Sequence, residues 1–193
     1  DTLRADSLLG SPGLARSLWG WDATRRRATW ALAHGDVARA ARLLENADHS
    51  HWPAVDEAAW QAMSAPVRVA MRDTLGGEAL ARSVLETYTG FAPASGQALA
   101  LLDTLAKVRH EPFAPRLGRR AARAEWANGK RAAALARLHA IMRSAAAPDR
   151  GADALQRTQW LREWRRPTAA IAAADTAVRW NAGTPAADMA RLE

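Results

Sequence analysis

The stretch EWANGKRAAALARL, Glu125 to Leu138, reads as two helices meeting at Gly129. A left-handed glycine ends a helix within one or two residues, and the small Ala134 five positions on lets the second helix lie close to the first. Three other stretches align on the same turn position: ALAHGDVARAARLL (Ala31–Leu44), RDTLGGEALARSVL (Arg72–Leu85) and LREWRRPTAAIAAA (Leu161–Ala174). With the turns placed at Gly35, Gly76, Gly129 and Arg165, alanine follows five residues later at Ala40, Ala81, Ala134 and Ala170. Leu44, Leu85, Leu138 and Ala174 follow at nine. The pattern predicts helix hairpins.

Outward from these turns the chain stays helical. Ala, Leu and Arg fill most windows, β-branched residues are sparse, and no stretch alternates apolar and polar for long. Breakers at Gly10 to Gly13, Trp52-Pro53, Gly90 to Pro93, Pro112 to Pro115, Ala147-Pro148 and Gly183 to Pro185 divide it into roughly ten to twelve short helices. The expected fold is all-α, a stack of antiparallel hairpins at 22–48, 63–93, 116–145 and 152–185, forming one domain over 1–193. A longer gap between the second and third turns leaves room for one more helix around Ser95–His110. The beginning at Asp1 and the end after a helical pattern at Glu193 read as the edges of a piece cut from a longer protein.

Composition narrows the chemistry. At 193 residues and 49% hydrophobic side chains, the chain can bury a core of useful size. It has no cysteine, so thiol nucleophiles, disulfides and cysteine-ligated metals are excluded within it. No apolar run approaches the ~18 residues of a membrane span, and no membrane insertion is expected. No phosphate-cradling glycine loop, nucleophile elbow or His-Glu-x-x-His is present, so no catalytic residue, metal ligand or cofactor is assigned. Asp48-His49-Ser50-His51, near Glu45 and Asp56, has ligand-type residues, but a polar loop between hairpins accounts for it. Asp56 and Glu57 suit the start of a helix through its macrodipole.

Charge is uneven. The net charge is +7; residues 1–100 carry 10 basic and 11 acidic side chains, and residues 101–193 carry 17 and 9. All basic side chains except Lys107 and Lys130 are arginine. Arg116, Arg119, Arg123 and Trp126 are spaced 3, 4 and 3 and share one helix face. Like charges there repel by a few tenths of a kcal/mol per pair, a cost that a partner anion would relieve. The alternative is a solvated basic face. Nine tryptophans stand against one tyrosine and two phenylalanines. Core and joint packing explains most of them, and Trp30 and Trp160, both five residues before a turn, are expected to share a packing role.

The helix–Gly–helix–Ala pattern, with Pro93 closing the second unit, resembles the tetratricopeptide-repeat (TPR) family, in a degenerate form with turns 41, 53 and 36 residues apart. The resemblance implies a right-handed superhelix whose concave groove is lined by the first helix of each hairpin. Carried over by position, the groove holds Asp22, Arg25, Thr29, Leu32 and Ala33 in the first unit. Met63, Pro66, Ala70, Asp73 and Thr74 follow in the second. Arg116, Arg119, Arg123, Trp126 and Ala127 come from the third, and Ala152, Leu155, Gln159, Arg162 and Glu163 from the fourth. The residues singled out as ligand-binding are Arg25, Arg116, Arg119, Arg123, Trp126 and Arg162.

The function expected from these readings is a non-catalytic protein–protein interaction scaffold for an acidic or carboxylate-bearing protein or peptide. A second reading is a TPR-like domain of a bacterial envelope protein for exopolysaccharide export, binding an acidic glycan, which slightly favours the periplasm. A third is the superhelical domain of a lytic transglycosylase, with catalysis outside these residues. The near-neutral N-terminal half and the lack of a recognised module argue against nucleic acid.

Overall fold

The structure is a computed structural model that describes residues 7–15, 17, 19–144 and 147–183. Every regular element among these residues is helical. After a helical turn at Pro12–Ala15 come α1 (Gly20–Ala33), α2 (Val37–Glu45), α3 (Ala54–Ala70), α4 (Thr74–Thr87) and α5 (Ala92–Arg109). They are followed by α6 (Pro115–Ala127), α7 (Arg131–Ser144), α8 (Ala147–Glu163) and α9 (Pro167–Trp180). The chain divides into two compact units, Asp1–Pro112 and Phe113–Glu193. The extra helix expected near Ser95–His110 is α5. The closing segment of the fourth hairpin beyond 183 lies outside the described residues.

One turn geometry recurs. A residue with positive φ stands at Gly35 (76°), Arg72 (67°), Gly129 (74°) and Arg165 (54°). The next residue's N–H reaches back to the last-turn carbonyl: Asp36 to Ala31, Asp73 to Arg68, Lys130 to Glu125 and Arg166 to Leu161, each at 2.9 Å. The left-handed residue's own N–H bonds Leu32, Val69, Trp126 and Arg162 in turn. These paired bonds satisfy carbonyls that a helix end leaves orphaned. The following helix starts two residues after the left-handed one in all four hairpins.

This corrects the second hairpin. The turn is at Arg72, and Gly76 lies inside α4. Its two glycines provide space. The Asp73 carboxylate folds over position 76 to accept the Gly76 N–H at 2.9 Å, where a Cβ would collide with it. A Cβ on Gly77 would lie 2.6 Å from the Ala65 carbonyl oxygen and from Val69 Cγ2. In the corrected register the residue five after the turn is Ala40, Gly77, Ala134 or Ala170, all buried. The small-residue rule therefore holds at the turn the structure uses.

In the first unit, consecutive helices α1 to α5 pack on one another, and α3 also meets α1 and α5. Its core joins Trp21, Ala28, Ala31, Ala40, Leu44 and Val67, with Trp52, Trp60 and Met63 packed around them. In the second unit α6 packs on α7, α7 on α8 and α8 on α9. Leu138, Met142, Ala154 and Trp160 fill its centre. Gly151 lets α8 receive Asn181, the C-terminal cap of α9, whose amide bonds the Ala177 carbonyl at 2.8 Å. So many core positions are alanine that helix backbones approach closely.

Candidate functional site

The basic face of α6 begins at Pro115, whose fixed φ suits the first helical turn. Leu117, Gly118, Ala121, Ala122, Ala124 and Glu125 turn inward. Arg116 and Arg123 are exposed and Arg119 is half-buried. The shared face expected from the 3, 4, 3 spacing exists, but its members have different roles.

Arg119 is engaged. Its Nε lies 2.8 and 3.0 Å from the two carboxylate oxygens of Asp153 on α8, and its Nη2 donates to Asp153 at 2.9 Å. Asp149, one turn earlier on α8, adds a contact at 3.5 Å. The hydrogen bonds to Asp153 raise the Arg119 pKa against the opposing effect of burial. Asp153 is itself buried, so this fork ties α6 to α8 within the core of the unit. Glu125 faces Arg137 of α7 through two bonds of 3.1 and 2.9 Å, and Arg137 also lies over the Phe113 ring.

Trp126 is engaged as well. Its ring stacks on Trp160 with centroids 4.8 Å apart and planes 5° apart, and its N–H donates to Glu163 at 3.1 Å. Arg131 lies 5.6 Å from its centroid. In the first unit Arg25 pairs with Asp22, which also accepts from Arg26. The two arginine hydrogen bonds hold the Asp22 carboxyl below its ordinary value. Arg162 is exposed and has a partner of its own. Four of the six expected ligand-binding residues thus serve internal contacts. Arg116 and Arg123 remain without an ion pair among the described residues.

Arg123 overlooks a recess of about 220 Å³ that Arg119, Asp149, Ala152, Asp153, Gln156 and Trp160 also line. The Arg119–Asp153 pair is thus part of its lining. The sequence reading missed Asp149, Asp153 and Gln156. Two carboxylates four residues apart on a helix, facing a helix with arginines three and four apart, was the available signal.

The tryptophans do not act as a set. Trp21 and Trp160 are buried, whereas Trp30 is 39% exposed, with Arg39 5.1 Å from its centroid. Trp30 and Trp160 therefore do not share a packing role: Trp160 belongs to the core of the second unit and stacks on Trp126 of the preceding hairpin, whereas Trp30 is partly exposed beside Arg39. Trp19 and Trp180 are also exposed. His49 stacks on Trp60 at 4.2 Å and meets Glu57 at 3.0 Å, and no group of three metal-ligating side chains converges among the described residues. No helix among them is long and apolar enough to cross a membrane. Compared with known proteins, the chain matches no family model, no curated protein and no solved structure.

Proposed function

We propose that this chain is a non-catalytic interaction scaffold whose second unit binds an acidic or carboxylate-bearing segment of a partner protein. The observation that carries this reading is how the unit uses its carboxylates. Asp153 and Glu125 are buried against Arg119 and Arg137, and Glu163 accepts from Trp126. Asp153 and Glu125 are therefore turned inward, whereas Asp149, Glu163 and Asp175 are exposed; Arg116 and Arg123 stand exposed on one face without an ion pair among the described residues. Exposed guanidiniums outside any internal ion pair favour an external oxyanion, which Arg can grip through two donors.

We further infer that the hairpins belong to a TPR-like right-handed superhelix. The same left-handed turn and the same buried small residue five positions later, in four hairpins, support it.

The test is a titration of the full chain with an acidic peptide pool at low and moderate salt, beside an Arg116→Ala/Arg123→Ala variant. Saturable binding that weakens with salt and drops at least ten-fold in the variant is expected. Unchanged binding in the variant would overturn the assignment. An acidic oligosaccharide and single-stranded DNA complete the series; a preference for either would replace the protein partner by that class. The stacking of Trp126 on Trp160 leaves less aromatic surface for a sugar ring there, which favours the peptide.

A further inference from the structure

The first unit contains a recess that the basic face does not explain. It measures about 250 Å³ and lies between α2 and α3, lined by Ala38, Ala41 and Leu44 on one side and Trp60, Ser64, Val67 and Met71 on the other. An apolar cavity of roughly 150 Å³ accepts benzene, and one water needs about 10–15 Å³, so this space exceeds what hydration of a single group requires.

Ser64 is the unusual member. It is 5% exposed, and its Oγ has no hydrogen-bond partner. A helical serine or threonine can satisfy its hydroxyl on the carbonyl four residues earlier, as Thr104, Thr158 and Thr176 do here. A buried hydroxyl left orphaned is costly, and the recess it lines offers the route by which a partner could reach it. Trp60 cannot supply one, because its N–H is committed to the Leu44 carbonyl at 2.9 Å.

Charge at the edge of the recess is balanced. Arg42, Glu45, Arg68 and Asp73 also line it, two of each sign, and Arg68 already pairs with Asp73 at 3.2 Å. Such a rim selects for neither a cation nor an anion.

We propose that this recess binds a small neutral molecule with a mainly apolar body and one hydroxyl or carbonyl group, which hydrogen-bonds Ser64. Binding here is independent of the acidic partner on the second unit. Ser64 acts as donor to a carbonyl and as donor or acceptor to a hydroxyl, while the ring or chain of the ligand packs on Trp60, Val67 and Leu44.

The probes are benzyl alcohol, toluene, benzoate and benzylammonium, titrated into the full chain while following the Trp60 indole N–H resonance, assigned with Trp60→Phe. Benzyl alcohol should shift that resonance saturably and bind at least five-fold more tightly than each of the other three. Ser64→Ala should bring benzyl alcohol down to the level of toluene while leaving toluene unchanged. Ala38→Phe, at an exposed position on the rim, should abolish binding of both without altering the far-ultraviolet circular dichroism. The proposal falls if benzyl alcohol leaves the Trp60 resonance unmoved at millimolar concentration. It falls equally if Ser64→Ala binds benzyl alcohol as the parent does, or if a charged probe binds best.

Discussion

At Arg72 and Arg165 the backbone takes φ of 67° and 54°, a region in which a side chain crowds its own carbonyl. Replacing either by glycine removes that strain, at about 1–2 kcal/mol, but adds unfolded-state entropy of about 0.5–1 kcal/mol. Arg72→Gly and Arg165→Gly are therefore expected to stabilise the chain by about 0.5–1 kcal/mol in chemical denaturation, and Arg72→Ala to be near neutral. Gly129→Ala should cost about 1 kcal/mol, since its φ is 74° with open space around it. Gly77→Ala acts by a different mechanism. Its new methyl meets the Ala65 backbone oxygen, which cannot rotate away, so a loss of about 1–3 kcal/mol is expected in the same measurement. Gly76 looked like a turn residue because glycine is the usual left-handed residue. The determining group was Asp73, whose carboxylate caps α4 and whose N–H closes the preceding turn.

Between elements, arginine–carboxylate forks join helices in each unit. Glu78 on α4 accepts from Arg82 on its own helix and from Arg109 on α5 at 2.6 Å. Burial pushes its pKa upward, but the two guanidiniums outweigh this and hold it below the ordinary value. A depressed carboxyl stabilises the fold above its unfolded pKa, near 4, and loses that contribution as pH falls through the folded value. The melting temperature of Glu78→Gln should lie below that of the parent at pH 6–7, and the two should converge below about pH 4. At the α6–α8 contact, Arg119→Met leaves the buried Asp153 carboxylate without its main partner. A cost of about 2–3 kcal/mol is expected, below the range for fully buried pairs because Arg119 keeps 26% of its side chain exposed. Adding Asp153→Leu should recover most of it, and a double-mutant cycle by denaturation measures the coupling. Helix positions and hairpin pairing were legible from turn residues and alanine spacing, both local. The ion pairs were not, because Arg119 and Asp153 are 34 residues apart and only hairpin packing brings them together.

For the whole chain, basic charge in the C-terminal half is a property of composition, but its availability is not. Twenty-seven basic and twenty acidic side chains can be read from the sequence, yet a count does not say which of them neutralise one another. The expected groove of Arg25, Arg116, Arg119, Arg123, Trp126 and Arg162 reduces to Arg116 and Arg123 once internal partners are placed. Charge reversal tests this at the molecular scale. Arg116→Glu/Arg123→Glu should leave the melting temperature within about 1–2 °C of the parent, as exposed substitutions usually do, while abolishing binding of the acidic peptides in the low-salt titration. By itself the sequence determined that the chain is helical, where most turns fall and why alanine follows them, because helix propensity, capping and close approach act within a few residues. Only the tertiary structure decided which arginines face solvent, which tryptophans stack and where Ser64 is left unpartnered. Those outcomes depend on which helix faces meet, and residues distant in sequence set them.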